Sequence, residues 1–365
     1  MRPVAPITAP ASRAALVVGT RLGAQPAFVV EEHLDELEDL VTSAGVRVAG
    51  RAVQARQAPN PATFIGRGKA EEFGRGARQL GADLVVFDDD LTGSQVKNLE
   101  EIMELQVMDR SSVILEIFGQ RARSREARTQ VELAQLNYLL PRLTRRWRHL
   151  ERQVGGIGVR GGAGETQLEA DRRMLRQRVG RLERELAKIE RTRAIQRRGR
   201  RGVPEVALAG YTNAGKSTLF NALTASTTPV EDRLFATLDA RLRRGAVAPA
   251  KVVVFADTVG FIRKLPHHLV ASFKSTLEEV VWADVVLHVV DRSHPRWEEQ
   301  MEVAEGVLRE LGVEPERIVR VFNKSDLLPG GERRDGGALW ISASTGQGLD
   351  ALKAELARRL ELVRP

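Results

Sequence analysis

The sequence contains no cysteine among its 365 residues. Disulfide bonds and thiolate metal sites are therefore excluded, and we expect a protein of the reducing cytoplasm. No apolar run approaches the roughly 18 residues that cross a bilayer, so we expect no membrane contact. Residues 1–13 also lack the apolar core of a secretory signal, which predicts a flexible tail.

Charge is distributed unevenly along the chain, which has a net charge of +8. Residues 121–201 hold 23 Lys/Arg and 9 Asp/Glu, whereas residues 1–120 hold 12 and 17. Concentrated positive charge indicates nucleic acid or an anionic membrane as a partner. On composition alone, a solvated helix face explains the same charge equally well.

The residue pattern predicts three domains after the tail. In residues 14–120, strand-like apolar runs alternate with helical stretches, which is typical of an α/β domain with a largely parallel sheet. The predicted strands are 14–22, 46–53 and 82–89, and the predicted helices lie near 31–44, 69–80 and 94–105. Residues 202–365 show the same alternation, with strand-like runs at 205–210, 251–260, 283–291, 317–326 and 338–344 and a last helix at 349–363. Functional loops follow their buried strands, so we expect a doubly wound, mostly parallel sheet that binds its ligand at the strands' carboxyl ends.

Residues 121–201 predict a long antiparallel helical hairpin between these two α/β domains. An apolar seam recurs every seventh residue along its second helix, at Leu168, Leu175, Leu182 and Ile189. Pro141 should kink or break the preceding helical stretch, residues 126–152. Residues 155–164 contain six glycines and predict the tip between the helices.

The segment GYTNAGKS, residues 210–217, fits the phosphate-loop pattern G-x-x-x-x-G-K-[ST]. Its glycines let backbone N–H groups surround phosphates, and the next helix adds a favourable dipole. Lys216 would place positive charge on the β- and γ-phosphates, and Ser217 would offer its hydroxyl to Mg²⁺. The predicted nucleotide contacts here are Gly210, Tyr211, Thr212, Asn213, Ala214, Gly215, Lys216, Ser217 and Thr218.

A second element, DTVG, follows a hydrophobic strand. We expect Asp257 to hold Mg²⁺ and the Gly260 N–H to donate to the γ-phosphate. Thr237 is the candidate for the mobile threonine that closes on both, with Thr227 and Thr228 as rivals. The predicted catalytic set is Lys216, Thr237 and Gly260, and the predicted metal ligands are Ser217, Thr237 and Asp257.

A third element, NKSD, predicts that the base is guanine, and hence that GTP is the substrate of a GTPase. A buried Asp326 carboxylate would accept the N1–H and exocyclic amine of guanine, whereas adenine lacks this donor pair and would leave the carboxylate unpaired. Asn323 would brace the phosphate loop and Lys324 would lie along the base. Ser342, Ala343 and Ser344 complete the predicted base contacts, with Ala343 supplying an N–H to the guanine carbonyl.

Two residues bear on the rate of hydrolysis. Phe261 stands where many GTPases place a glutamine that orients the attacking water, so we expect low basal hydrolysis and activation by a partner. Asn213 resembles the asparagine of GTPases that bind K⁺ beside the phosphates, where the ion would stabilise the transition state. The alternative is that Asn213 only caps the tight loop.

The segments GGIGVRGGAGETQLEADRR (155–173), QVELAQLNYLLPRL (130–143) and FIGRGKAEE (64–72) resemble the HflX family of GTPases. This resemblance implies binding to the large ribosomal subunit and its RNA, through the basic hairpin 121–201. It also implies splitting or rescue of stalled ribosomes under stress. Some members are reported to bind ATP through the N-terminal domain, but Gly66, Gly68 and Lys69 favour a turn and helix cap.

Two alternatives stay open from the sequence. One is a GTP-switched interaction protein that recruits a protein partner through the hairpin. The other is the GTPase of a tRNA-modifying complex, since such GTPases also carry an asparagine in the phosphate loop. We expect a monomer in each case.

Overall fold

The computed structural model describes residues 13–143, 167–199, 202–226, 233–249, 251–264, 274–328 and 338–363. The strands are β1 (Ala14–Leu22), β2 (Arg47–Arg56), β3 (Leu84–Phe87), β4 (Gln106–Asp109), β5 (Glu205–Ala209), β6 (Arg241–Ala248), β7 (Lys251–Asp257), β8 (Val285–Asp291), β9 (Ile318–Asn323) and β10 (Leu339–Trp340). The helices are α1 (Ala27–Ser43), α2 (Arg67–Gln79), α3 (Gly93–Met103), α4 (Arg110–Arg121), α5 (Arg125–Leu139), α6 (Gln167–Gly199), α7 (Lys216–Thr224), α8 (Lys274–Trp282), α9 (Trp297–Glu310) and α10 (Leu349–Val363). The predicted fold class is confirmed: parallel-rich α/β regions flank a helical region.

The chain forms two compact units. One comprises Met1–Gln120 with Thr129–Glu185, and the other comprises Arg121–Arg128 with Leu186–Pro365. Helices α5 and α6 therefore each contribute residues to both units, and the predicted three-domain boundaries stay a prediction. Within the ranges given above, no helix is long and apolar enough to cross a membrane.

The first unit contains a four-stranded parallel sheet in the order β2-β1-β3-β4. The predicted strands and helices of this region are present, but β4 and α4 were missed. Strand β4 is only four residues long, QVMD, and shows too short an alternation to be recognised. The core between sheet and helices buries Val85, Phe87 and Leu99 completely, and such burial stabilises by about 1.5–3 kcal/mol for each large side chain.

Local capping explains where two helices of this unit begin. Thr92 precedes α3 and accepts from the Gln95 N–H at 3.2 Å, while the Gln95 side chain accepts from the Thr92 N–H at 2.8 Å. Gly66 is the N-cap residue of α2, and Lys69 pairs with Glu72 within that helix. The turn-and-cap interpretation of this segment therefore agrees with the structure.

Helices α5 and α6 run antiparallel in the first unit. The Arg178 guanidinium binds Glu132 of α5 at 2.6 Å. Arg172, earlier on α6, donates at 2.7 Å to the carbonyl of Leu143, which lies later in the chain than Glu132 and just beyond α5, so the two segments run in opposite directions. Helix α5 ends before Pro141, which lies in a 3₁₀ turn, as proline's missing N–H requires. The predicted tip, residues 155–164, lies outside the described residues.

The second unit contains a six-stranded sheet in the order β10-β9-β8-β5-β7-β6. All of its neighbouring pairs are parallel except the edge pair β6–β7, which is antiparallel. Strand β6 was not predicted, because its sequence is rich in arginine and forms no apolar run, and most of its residues are half-buried or exposed. Strand β5 lies between β8 and β7, so its carboxyl end opens at the centre of the sheet.

Candidate functional site

The loop between β5 and α7 requires glycine at both ends. Gly210 has φ 146° and Gly215 has φ 86°, both in the region that favours glycine. A Cβ on Gly210 would lie 2.2 Å from the Val289 carbonyl oxygen, and one on Gly215 would lie 2.3 Å from Asn323 Nδ2. The loop is therefore held against the neighbouring strands β8 and β9, with the N-terminus of α7 at its end.

Lys216 is buried at the first position of α7. Its Nζ donates to the carbonyl oxygens of Tyr211 at 2.6 Å and Gly210 at 3.1 Å, so the cation lies across the loop. Burial lowers the pKa of Lys216 to about 8, and the nearby Asp257 opposes that shift. A desolvated cation at a helix N-terminus is a strong attractor for a phosphate anion.

Three side-chain oxygens meet beside this lysine. Ser217 Oγ donates to Asp257 Oδ2 at 2.8 Å, Thr237 Oγ1 donates to the same oxygen at 3.0 Å, and the two hydroxyls lie 3.0 Å apart. Burial raises the pKa of Asp257, while the Ser217 hydrogen bond and Lys216 act against it. Among the described atoms, Asp257 Oδ1 has no hydrogen-bond partner. Clustered hydroxyl and carboxylate oxygens fit a hard cation such as Mg²⁺.

These three residues are the ones that the sequence predicted as metal ligands. The loop carrying Thr237 reaches the site from between α7 and β6, whereas Thr227 and Thr228, its rivals, lie outside the described residues. Gly260 follows β7 and faces the same place: a Cβ there would lie 2.8 Å from Thr212 Cα and 2.9 Å from Lys216 Nζ. Only glycine leaves room for the lysine head.

A cavity of about 310 Å³ opens over this cluster. It is lined by Thr212, Asn213, Gly215, Lys216, Ser217, Thr218, Arg233, Phe235, Ala236, Thr237, Thr258, Gly260 and Lys324. Four of these were not predicted from the sequence: Arg233, Phe235, Ala236 and Thr258. Phe235 and Ala236 lie within the run LFATLD (234–239) that carries Thr237, and Arg233 immediately precedes it, so nearness to Thr237 in the sequence was the available signal.

The predicted base-binding residues come together at the ends of β9 and β10. Asn323 Nδ2 donates to the Ala214 carbonyl at 2.9 Å, so this side chain does brace the phosphate loop. Asn323 Oδ1 accepts from the Ala343 N–H at 3.0 Å. That N–H was predicted to bind the guanine carbonyl; in this structure it is used by asparagine, and a base would have to share it. Lys324 pairs with Asp291 at 2.6 Å.

Asp326 lies on a 3₁₀ turn, Ser325–Leu327, and its side chain is exposed. The prediction of guanine selection assumed a buried carboxylate, so burial would have to come from the base itself. The turn is anchored by buried Ser325, whose N–H donates to the Ile341 carbonyl at 3.1 Å. Asp326 as the guanine-selecting residue stays a prediction.

Phe261 is fully buried, and its backbone pairs with the phosphate loop. Its N–H donates to the Gly210 carbonyl at 3.0 Å, and its carbonyl accepts from the Thr212 N–H at 2.7 Å. The buried phenyl ring therefore has a packing role, while the backbone of Phe261 fixes the distance between the two loops. Asn213, with φ 61°, lines the cavity in a left-handed conformation that asparagine tolerates better than most residues.

The basic segment presents two kinds of arginine. Arg142, Arg172 and Arg178 are engaged in contacts within the first unit, with Asp109, the Leu143 carbonyl and Glu132 respectively. A second group of basic side chains on α6 is exposed: Arg173, Arg176, Arg181, Arg184, Lys188 and Arg191. Of these, Arg184 also donates to the Gly180 carbonyl at 2.9 Å within its own helix. Arg145, Arg146, Arg148 and Arg160, which belong to the same basic segment, lie outside the described residues.

Three known protein families match consecutive segments that together make up most of the chain. Residues 31–119 match a family described as GTP-binding GTPase N-terminal, and residues 121–200 match one described as GTP-binding GTPase middle region. Residues 205–324 match a family described as 50S ribosome-binding GTPase.

Curated relatives include the GTPase HflX of Magnetococcus marinus, 49% identical over 89% of this chain and 77% of that protein. The GTPase HflX of Escherichia coli is 47% identical over 90% of this chain and 79% of that protein. Among solved structures, SsGBP in complex with GDP superposes with a TM-score of 0.51 at 23% identity, covering 96% of this chain and 99% of that one. At 23% identity, the similarity to SsGBP shows a shared fold and no more.

Proposed function

We propose that this chain, which belongs to the HflX family of GTPases, associates with the large ribosomal subunit and splits or rescues stalled ribosomes under stress. The chain is an enzyme that binds guanine nucleotide and hydrolyses GTP to GDP and phosphate. The observation that carries the ribosomal proposal is the match of residues 205–324 to the 50S ribosome-binding GTPases. The site of action would be the cytoplasm, and the active form a monomer.

In this proposal the cavity over Lys216 holds the triphosphate of GTP. Lys216 contacts the β- and γ-phosphates, and the backbone N–H groups of the phosphate loop surround them. Asp326 selects guanine, and Lys324 lies along the base once it leaves or shares its contact with Asp291. Gly260 offers its N–H to the γ-phosphate, in the space that the missing side chain leaves.

Ser217, Thr237 and Asp257 would hold Mg²⁺. Their oxygens already lie within 3.0 Å of one another in the pairs described, and Asp257 Oδ1 has no other described partner. When bound, the ion neutralises charge on the β- and γ-phosphates. The residues themselves contribute by orienting the phosphates and by keeping the site dry, since Asp257 is completely buried and Thr237 nearly so.

Basal hydrolysis should be slow, because no glutamine follows Gly260 and the Phe261 ring is buried away from the cavity. Water must then be positioned by another group, and the ribosome is the proposed activator. K⁺ held beside Asn213 is a second proposed source of transition-state charge. Equal hydrolysis rates in K⁺ and Na⁺ at matched ionic strength would leave Asn213 as a loop residue only.

The proposed RNA-binding surface is the exposed basic side of α6 together with the predicted hairpin tip. Arginine suits this role because it both contacts phosphates and stacks on bases. The engaged residues Arg142, Arg172 and Arg178 hold the fold of the first unit. They make poor targets for testing RNA binding, since their loss would also disturb packing.

The test is sedimentation with purified large ribosomal subunits, in a non-hydrolysable GTP analogue and in GDP, across a range of salt. The variant Arg176→Gln, Arg181→Gln, Arg184→Gln should bind more weakly, and its salt slope should fall by roughly one unit for each phosphate that is no longer neutralised. The matched control Arg75→Gln, Arg243→Gln, Arg244→Gln removes the same charge from exposed positions elsewhere. Equal binding by the two variants would contradict the proposed surface, and no pelleting by the parent would contradict ribosome association.

A further inference from the structure

Asp239 connects the nucleotide-site loop to the start of α5. Its Oδ2 accepts from the backbone N–H groups of Ser124 at 3.1 Å and Arg123 at 3.2 Å. Its Oδ1 accepts from the Ser124 hydroxyl. Both carboxylate oxygens are thus committed to a segment more than a hundred residues earlier in the chain, within the same compact unit.

These contacts complete the cap of α5. Ser124 accepts the Ala127 N–H on its hydroxyl at 3.0 Å and the Arg128 N–H on its carbonyl at 3.1 Å, so it is the N-cap residue. The N–H groups just before the helix point towards Asp239, and a negative charge there is favourable for the helix dipole. An ion pair between Arg193 of α6 and Glu126 at 2.9 Å also holds the first turn of α5.

The other end of this link is the proposed metal site. Thr237, two residues before Asp239, reaches Asp257 and Ser217, and the intervening Leu238 is buried in the core. Phe235, just before, is buried with φ 56°, so the loop has little freedom on that side. A displacement of Thr237 therefore cannot be absorbed by Leu238 without exposing it, and must be transmitted to Asp239.

We propose that Asp239 is a positioning residue for GTP binding and hydrolysis. It anchors the loop that presents Thr237, and it ties that loop to the first turn of α5. The inference rests on the proposed function in one respect, the assignment of Thr237 to the metal and γ-phosphate. Because such a threonine acts in the triphosphate state, loss of the anchor should weaken GTP binding and leave GDP binding unchanged.

The experiment measures affinities for fluorescent GTP and GDP analogues at several Mg²⁺ concentrations in the full chain. Asp239→Ala should weaken Mg²⁺-dependent GTP-analogue binding about five- to tenfold, the loss of one or two charge-assisted hydrogen bonds that position the loop. Ser124→Ala, on the far side of the contact, should produce part of the same loss. The double variant should be no worse than Asp239→Ala, because both remove one interaction.

Amide hydrogen exchange of residues 123–128 provides a readout independent of activity. The GTP analogue should slow exchange there in the parent relative to GDP, and the difference should vanish in Asp239→Ala. Asp350→Ala, at an exposed position in the first turn of α10, is the matched control and should behave as the parent. Equal weakening of GTP and GDP, or additive effects in the double variant, would overturn the proposal.

Thr237→Ala separates this inference from the function on which it rests. If Thr237→Ala leaves GTP binding and its Mg²⁺ dependence unchanged, the assignment of Thr237 fails. If Thr237→Ala weakens GTP binding but Asp239→Ala does not, the assignment stands and the anchoring role of Asp239 is wrong.

Discussion

In both units, charged residues lie at the carboxyl ends of the parallel strands, but they differ in how completely they are hydrogen-bonded. In the first unit, the buried carboxylate of Asp109 uses both oxygens: Oδ1 accepts from the Tyr138 hydroxyl at 2.7 Å and Oδ2 from Arg142 at 3.1 Å. The neighbouring Arg110, also buried, binds Asp88 at 2.8 Å and Glu36. In the second unit, Asp257 is equally buried but keeps one oxygen without a described partner, beneath an open cavity.

The difference shows that the position of charged groups at strand ends does not by itself make a ligand site. Buried charges paired with one another stabilise a particular arrangement and leave little for a ligand to gain. Charges left underpaired cost stability, and a ligand that satisfies them recovers that cost as binding energy. We therefore expect the cluster of Asp109 and Arg110 to act as a scaffold for the fold and Asp257 to act in a ligand site, and four variants test the contrast.

Replacing the buried cation of the first unit should have the largest effect. Arg110→Met leaves Asp88 and Glu36 without their shared partner, and the free energy of unfolding should fall by about 3–5 kcal/mol. Urea unfolding followed by circular dichroism measures the loss, with exposed Arg75→Met as the control. GTP affinity of the folded fraction should be unchanged, and a stability equal to the parent's would contradict the scaffold interpretation.

Replacing the buried cation of the second unit should give the opposite pattern. Lys216→Met should reduce GTP affinity about 10- to 100-fold, the value of a hydrogen bond to a charged group. The nucleotide-free protein should be as stable as the parent or more so, because a desolvated charge has been removed. Titration with a fluorescent nucleotide measures the GTP affinity, and thermal unfolding measures the stability of the nucleotide-free protein. Lys188→Met, at an exposed position on α6, is the control.

The folding stability of the second unit should also decrease in acid. Burial lowers the pKa of His288 on β8 to about 4 from an ordinary 6.5, and Arg320 and Lys216 add to the shift. The unfolded chain takes up this proton first, so stability is complete above pH 6.5 and is lost as pH falls towards 4. Between pH 7 and 5 the loss from this residue should be about 2 kcal/mol.

His288→Gln should remove that part of the acid sensitivity. Denaturant midpoints of parent and variant, measured at both pH values, give the comparison. Identical pH dependence in the two proteins would show that His288 is not held neutral in the fold.

The smallest effect is expected at the rim of the cavity. Arg233 is exposed but lines the nucleotide cavity beside the loop of Thr237, so its charge should assist phosphoryl transfer. Arg233→Ala should lower kcat about tenfold, less than a dedicated arginine finger because water screens the side chain. Arg233→Lys should retain part of the rate, exposed Arg243→Ala should retain all of it, and an unchanged kcat in Arg233→Ala would remove Arg233 from the reaction.

Much of the fold followed from local pattern. Strand β1 and helix α10 have the bounds that their apolar runs predicted, and the break at Pro141 follows from proline's geometry. Strands β4 and β6 were missed for a shared reason. One is too short and the other too polar for an apolar period to show, and each forms because a neighbouring strand supplies its hydrogen-bond partners.

The residues proposed to bind nucleotide were predicted from residue type and spacing, since phosphate loops need glycine, lysine and a hydroxyl at fixed intervals. The exposed state of Asp326 and the use of the Ala343 N–H by Asn323 were not predicted. Both depend on how β9 and β10 end relative to each other, which no local pattern contains. The same holds for Arg233, whose relation to the cavity depends on the path of its loop.

What the sequence determined by itself is the chemistry to be expected: a phosphate-loop pattern, a carboxylate proposed to bind metal, a loop proposed to select the base and a basic helical segment. These depend on short motifs, because backbone geometry and side-chain type act within a few residues. What only the tertiary structure decided is which charges are satisfied. Both oxygens of Asp109 accept hydrogen bonds, Asp257 Oδ1 accepts none from the described atoms, and Asp239 caps a helix from a distant loop. Pairing of this kind depends on distances between segments far apart in the chain, and only packing sets those distances.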